Sequence, residues 1–395
     1  MAGSASVKEY IKEAKYYSSI AVDLALYSLA SGNKIAAMEV LQIEDRIDQV
    51  VRDLAAKASL AVRSPEQTGL AVAITEIARA FDRITDAAGD LAGLVIRDYP
   101  IHEYVKGVVN CCGEVISLIQ SSNTVSKLEG NVDILLVRRG DSYILAPEKE
   151  EIQEGDLVVV RGTPEEVAQV ARQLQKPPER SPLGGTELVT AALAGDELAS
   201  NLLKLKNLGK LMLEMSFHAL IYVDKSLANL ILDLETGIDT LYLKVLEDSY
   251  VTVIPLRSRE SVSLSIFANA METLADAAVF IARIVLSPEY YEYSEFLGEA
   301  VEEAEEGYAR LQVTGKLDGT PLNALGLSDW GVEILAVRRG NKWIVPVPSN
   351  YTLKKGDIVL VKYFKEPGED ARDEEEILKL LSEAGFRELE EAEGD

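Results

Sequence analysis

Residues 131–140 read NVDILLVRRG, and residues 331–340 read GVEILAVRRG. Seven of the ten positions are identical, and Asp133 against Glu333 keeps the charge, at an offset of 200 residues. Downstream, Gly155-Asp156-Leu157-Val158-Val159-Val160 answers Gly356-Asp357-Ile358-Val359-Leu360-Val361. Upstream the repeat is fainter. Thr85-Asp86-Ala87-Ala88 answers Ala275-Asp276-Ala277-Ala278, and Glu44/Asp48 answer Glu235/Asp239, at offsets of 190 and 191. The order of features is the same in both halves. The chain is therefore a tandem duplication of one module of about 190 residues, with too few copies for a solenoid.

Each module changes period partway. Residues 7–112 place apolar side chains three and four apart, the pattern of amphipathic helices in a bundle. Ser31-Gly32-Asn33 and Arg63-Ser64-Pro65-Glu66 read as turns between long helices. From about Glu114 the pattern turns to strands. Val132–Val137 is a β-rich run, Arg139-Gly140-Asp141 a hairpin signal, and Tyr143–Leu145 the return strand. Gly155-Asp156 is a further turn, and Pro164 opens a short helix over Glu165–Leu174. The fold class expected is α+β multidomain. The boundaries are a helical bundle over 1–112, a small α+β domain over 113–175, a linker over 176–196, a second bundle over 197–307, a second α+β domain over 308–366, and an acidic tail over 367–395 with one helix, Asp373–Ala384. The run KPPERSPLGG at 176–185 marks the linker.

Composition excludes several function classes. With 40 basic against 65 acidic residues in 395, the formal net charge is −25. Nucleic acids and anionic lipids are bound by Lys and Arg replacing counterions, and no basic run is present. The only cysteines, Cys111 and Cys112, are neighbours and suit buried packing better than a disulfide. With His102 and His218 as the only histidines, no Cys/His zinc site can be assembled. G-x-S-x-G, G-x-G-x-x-G and the P-loop signature are all missing. No apolar run reaches about 18 residues, and the stretch nearest to it, Ala277–Leu286, is interrupted by Arg283. The start, MAGSASVKEYIKEAKYYSS, lacks a hydrophobic signal core. The expectation is a cytoplasmic, non-catalytic protein without direct membrane insertion.

The run VEILAVRRGNKWIVPVPSNYTLKKGDIVLV resembles the C-terminal ligand-binding domain of TrkA-type potassium-transport regulators, the RCK C-terminal domain. The residues that carry the resemblance are Arg338-Arg339-Gly340, Pro346 or Pro348, Gly356-Asp357, and the upstream segment from Leu317 to Leu327. The first copy keeps Arg138-Arg139-Gly140, Pro147 and Gly155-Asp156, and is about seven residues shorter before Val132. The helical parts resemble PhoU domains, three-helix bundles with E/D-x-x-x-D motifs, here Glu44/Asp48, Asp82/Asp86, Glu235/Asp239 and Glu272/Asp276. The arrangement is similar to archaeal proteins grouped with potassium-channel regulators. The Rossmann half that often precedes a TrkA-C domain is missing, so NAD or ATP sensing does not carry over.

Two groups of side chains are candidate sites. Acidic residues four apart share one helix face and repel. A hard divalent cation with oxygen ligands would offset that repulsion at Glu44, Asp48, Asp82, Asp86, Glu235, Asp239, Glu272 and Asp276. A solvated acidic face is the alternative, with Arg46 and Arg83 close enough to neutralise the first set. At the strand corners, Arg138, Arg139, Arg338 and Arg339 could grip phosphate bidentately. The resemblance implies that such domains pair as dimers and bind cyclic dinucleotides, notably cyclic di-AMP, at the interface. The alternative is an arginine paired with a local acid such as Asp141 or Asp133. His102 is expected exposed near a helix start, and His218, which aligns with Tyr27, is expected to pack at a helix surface. Trp330 and Trp343 are expected to pack in the core or at the edge.

The expected function is regulation of potassium or other cation transport. Ligand binding at paired TrkA-C-like domains, within one chain or in a homodimer, would bias a channel or transporter subunit, to which the protein would attach peripherally. The rival reading is a metal-binding, PhoU-like regulator of phosphate uptake.

Overall fold

The computed structural model describes residues 6–61, 68–109, 115–125, 132–140, 142–145, 151–162, 164–175, 196–252, 259–288, 291–302, 306–327, 332–340, 342–345, 347–348, 350–364 and 374–389. Among the features read from the sequence, Arg63–Glu66, Cys111, Cys112, Asp141, Pro147, Trp330, Pro346 and the linker at 176–185 lie outside them.

Helix starts and stops follow from capping chemistry. Ser6 accepts from the Glu9 N–H at 3.2 Å and donates its own N–H back to the Glu9 carboxylate, a capping box that opens α1 (Val7–Ser31). Gly32 closes it in the left-handed region, φ 70°, with its N–H on the Ser28 carbonyl at 2.8 Å. Asn33 then accepts from the Ile35 and Ala36 N–H groups and opens α2 (Lys34–Ala61). α3 (Thr68–Ile96) and the short α4 (Glu103–Val109) complete the first helical set.

The second set repeats this order. Asp196 caps α6 (Glu197–Ile221), Asp224 caps α7 (Lys225–Thr252), and α8 (Glu260–Leu286) and α9 (Tyr291–Glu302) follow. α5 (Pro164–Leu174) lies between the sets, in the first small domain.

The two helical sets are one body. α3 packs against α8, and a single apolar core runs through both. Phe81 of α3 stacks on Phe217 of α6 at 6.2 Å between ring centroids. A Cβ on Gly209 of α6 would lie 2.5 Å from the Met271 carbonyl of α8, so only glycine permits that approach. By length and composition α8 could cross a bilayer, but most of it is buried as the central core helix.

Each small domain is an antiparallel sheet. The first, in the order β1-β4-β2-β3, comprises β1 (Val115–Gln120), β2 (Asp133–Arg139), β3 (Ser142–Leu145) and β4 (Leu157–Gly162). One face carries Leu118, Leu136 and Val159 into the helical core, and the other carries Ile119, Val137 and Val158 under α5. A bulge between Ile134 and Leu136 switches which residues face inward.

The second sheet, in the order β7-β6-β8-β5-β9, comprises β5 (Glu306–Val313), β6 (Val332–Arg339), β7 (Lys342–Ile344), β8 (Ile358–Phe364) and β9 (Phe386–Glu388). Its outer face lies under α10 (Glu374–Ala384) through Ile377 and Leu381.

Three expectations are corrected by this architecture. The tail continues past its helix into β9, which pairs with β5 at Leu311, Gln312 and Val313. Among the described residues, each sheet docks chiefly on the helical body rather than on the other sheet. His102 is buried rather than exposed, because its N–H reaches Ser263 Oγ of the second helical set at 2.9 Å.

Candidate functional site

The acidic residues of the first helical set do converge. Glu44 and Asp48 on α2 face Asp82, Asp86 and Asp90 on α3. Burial, then Asp86, Asp48, Asp45 and Asp90, push the Glu44 carboxyl up to about 7. Burial and Asp48 raise Asp82 against Arg52, and burial and Asp82 raise Asp86 against Arg83. The α3 sequence makes room for this. Glu44 lies across Gly89, where a Cβ would stand 2.1 Å from Oε2.

The expected neutralising arginines point elsewhere. Arg46 pairs with Glu13 at 2.5 Å. Arg83 leaves its own set, reaches Asp276 of α8 at 3.0 Å and lies over Phe280 at 4.6 Å. Arg52 is the cation beside Asp48, at 3.4 Å.

The second acidic group is more dispersed. Glu235 turns to Arg283 at 3.4 Å. Burial, then Asp276 and Asp239, raise Glu272 against Arg83. Of the eight carboxylates singled out from the sequence, Glu44, Asp48, Asp82 and Asp86 form one face, and Asp239, Glu272 and Asp276 form another. Among the described residues, no group of three or more His, Cys, Asp or Glu side chains has the geometry to hold a metal ion as it stands.

The Arg-Arg-Gly corners divide their labour. Arg139 clamps Asp156, Nε to Oδ1 at 3.0 Å and Nη2 to Oδ2 at 2.8 Å, and also donates to the Glu151 carbonyl. Arg339 repeats this on Asp357 at 2.8 and 2.7 Å, with the Thr352 carbonyl as third partner. Burial works against both aspartates, yet Arg139 with the Gln153 N–H, and Arg339 with the Lys354 N–H, hold the carboxyls below their ordinary range. The second arginine and the Gly-Asp turn are thus one device that ties a strand corner to a loop.

The first arginine of each pair differs between copies. Arg138 reaches the buried Glu39 of α2 at 3.0 Å. Arg338 lies over Trp343 at 5.5 Å, and its Nε is buried without a hydrogen-bond partner. Trp343 packs at the sheet edge and donates to Ser226 Oγ of α7 at 3.2 Å.

Sequence reading missed the densest polar cluster, between α6 and the second sheet. Tyr308 donates to Glu214 at 2.8 Å, Lys362 pairs with Glu214 at 2.9 Å, and Lys210 pairs with Asp23 of α1 at 2.8 Å. His218 is fully buried there. Desolvation drives its ring down to about 4, against the favourable pull of Asp224 and the Ala309 carbonyl. One signal was available in the sequence, a charged strand residue whose copy in the first module is apolar, Arg310 against Leu118.

Comparison with known proteins places these domains. The PhoU domain model matches residues 11–95 and 202–285, and the TrkA-C domain model matches residues 121–175 and 308–366. Among solved structures, PhoU from Pseudomonas aeruginosa is 15% identical over 71% of this chain and 93% of its own, with a TM-score of 0.40. The GsuK RCK domain is 13% identical over 69% of this chain and 63% of its own, with a TM-score of 0.17. No curated protein matches the chain. The matched regions alternate along nearly the whole sequence, and the protein belongs to those that join PhoU and TrkA-C domains in tandem.

Proposed function

We propose that this is a non-catalytic regulator of potassium or other cation transport, in which a small ligand at the TrkA-C domains alters how the protein engages a channel or transporter subunit. Both domain types are regulatory rather than catalytic. The observation that supports the reading best is the docking of each TrkA-C sheet, by its inner face, onto a helical core common to both PhoU domains. A shift of either sheet then requires repacking of that core, which is how a local binding event acquires a distant effect. The ligand proposed is a cyclic dinucleotide such as cyclic di-AMP, bound where TrkA-C domains pair, in a cytoplasmic homodimer. Arg338 is the corner arginine open to such a role, since Arg139 and Arg339 are committed to Asp156 and Asp357 and Arg138 is paired with Glu39.

A second reading, regulation of phosphate uptake through a metal-bound PhoU domain, is favoured by one feature. The Glu44, Asp48, Asp82 and Asp86 face keeps a carboxyl poised near neutrality that a divalent cation would ionise.

A thermal-shift panel on the full chain separates the two. A ligand at 100 times its Kd adds about 2.7 kcal/mol of stability. A rise in Tm with cyclic di-AMP alone supports the first reading. A rise with Mn or Mg alone moves the assignment to the PhoU face. No rise with any of them removes both ligands from the account.

A further inference from the structure

The duplication makes each module a control for the other, and the two differ consistently at the joint between helices and sheet. At the turn after the first helix, Gly32 has φ 70°, and its counterpart 191 residues on is Val223 with φ 47°. Glycine takes that backbone freely, whereas a β-branched residue is strained there. Shortly before it in the helix, Tyr27 of the first module is replaced by His218, whose buried ring nitrogens make no hydrogen bond of normal geometry and feel only the pull of Asp224 and the Ala309 carbonyl. On the strand facing this turn, Leu118 is replaced by Arg310. Arg310 Nη1 stands 3.2 Å from Asp224 Oδ2, but Arg310 Nε and Asp224 Oδ2 are buried without a hydrogen bond. Buried polar atoms without partners destabilise the state that contains them.

The first joint shows the opposite. Its sheet is tied to α2 by Arg138 and the buried Glu39. The residue matching Glu39 is Leu230, which offers Arg338 no carboxylate. The second joint keeps its apolar contact through Leu335, Ala336 and Leu360, and adds polar links that include Lys362 to Glu214 at 2.9 Å and the Tyr222 hydroxyl on the Tyr308 carbonyl. Water can replace such links on opening, while it relieves the unpaired groups and the strained turn.

We propose that the two TrkA-C domains have unequal mechanical roles: the first is a fixed anchor on the helical body, and the second is hinged at the Tyr222-Val223-Asp224 turn and strand β5. Strain and unpaired groups concentrated in one segment mark elements that move. The inference does not depend on the ligand, and would stand for either reading above.

Amide hydrogen exchange on the full chain tests it. In the wild type, protection factors over 218–228 and 308–313 are expected about 10-fold or more below those over 27–37 and 115–121. Val223→Gly and His218→Phe are each expected to raise protection at the second joint about threefold or more, with the first joint unchanged. Equal protection at the two joints of the wild type overturns the proposal, and that comparison decides it even where a variant fails to fold. Variants that fold yet leave the second joint unaltered overturn it as well.

Discussion

Glu44 and Gly89 interlock: the carboxylate of α2 occupies the space that any side chain at position 89 of α3 would fill, 2.1 Å from an added Cβ. The obstacle is the far end of a flexible side chain, so the helix itself does not have to move. Gly89→Ala is expected to turn Glu44 outward and return its carboxyl toward ordinary values. Alanine gains up to about 1 kcal/mol of helix propensity at an interior position, so stability should hold or rise slightly. Carboxyl titration by NMR in wild type and variant checks this, and an unmoved Glu44 titration would count against it.

The elevated Glu44 carboxyl also sets a pH dependence. Its folded value, about 7, lies above the unfolded 4.5, so the folded state binds the proton more tightly. Stability from this group is complete below pH 4.5 and is lost as pH rises through 7. Glu44→Gln should therefore stabilise the protein at pH 8, by about 1 kcal/mol after allowance for solvent screening. The gain should vanish at pH 4.5. Chemical denaturation at the two pH values measures both.

His218 acts with the opposite pH sense. Its folded value, about 4, lies below the ordinary 6.5 because the charged ring would be desolvated. The neutral ring contributes stability above pH 6.5 that is lost as pH falls toward 4, roughly 3 kcal/mol in all. His218→Phe should flatten that part of the stability profile, leaving the Glu44 contribution in place.

How much of this was legible in the sequence depended on range. Duplication, long helices and hairpins were readable because each rests on a local period or a nearby identity. The Gly-Asp turns were readable as turns, but not as partners of Arg139 and Arg339, 17 and 18 residues away. Arg138 with Glu39 joins different domains, and the burial of His102 depends on Ser263. No local pattern encodes such pairings. β9 is three residues long and alternates too briefly to register as a strand. The acidic faces were found by spacing, but the destinations of Arg46 and Arg83 depended on how two helical sets meet.

The arginine corners predict a structural phenotype. Arg339→Ala would leave Asp357, 2% exposed, with the Lys354 N–H but without its counter-charge. The expected cost is about 2 kcal/mol, localised to the second sheet, and Arg139→Ala should mirror it in the first. Exchange mapping of each variant should show the loss confined to the affected sheet. Arg338→Ala, by contrast, should leave stability nearly unchanged.

Deleting residues 374–395 removes α10 and β9 together. Ile377, Leu381 and Phe386 are buried against the second sheet, and each such loss costs about 2–5 kcal/mol. The truncated chain should lose the second sheet while keeping its helical content. Circular dichroism with limited proteolysis would show this, and an intact, protected sheet would contradict it.

The apolar core that passes from α3 into α8 means that heredity and folding divide this chain differently. Two ancestral copies are still visible in the sequence, yet neither copy owns a closed interior. A half-length fragment would present the α3 or α8 face to solvent and would seek another half to cover it. The repeat unit therefore survives as a pattern of residues but no longer as a particle with an interior of its own.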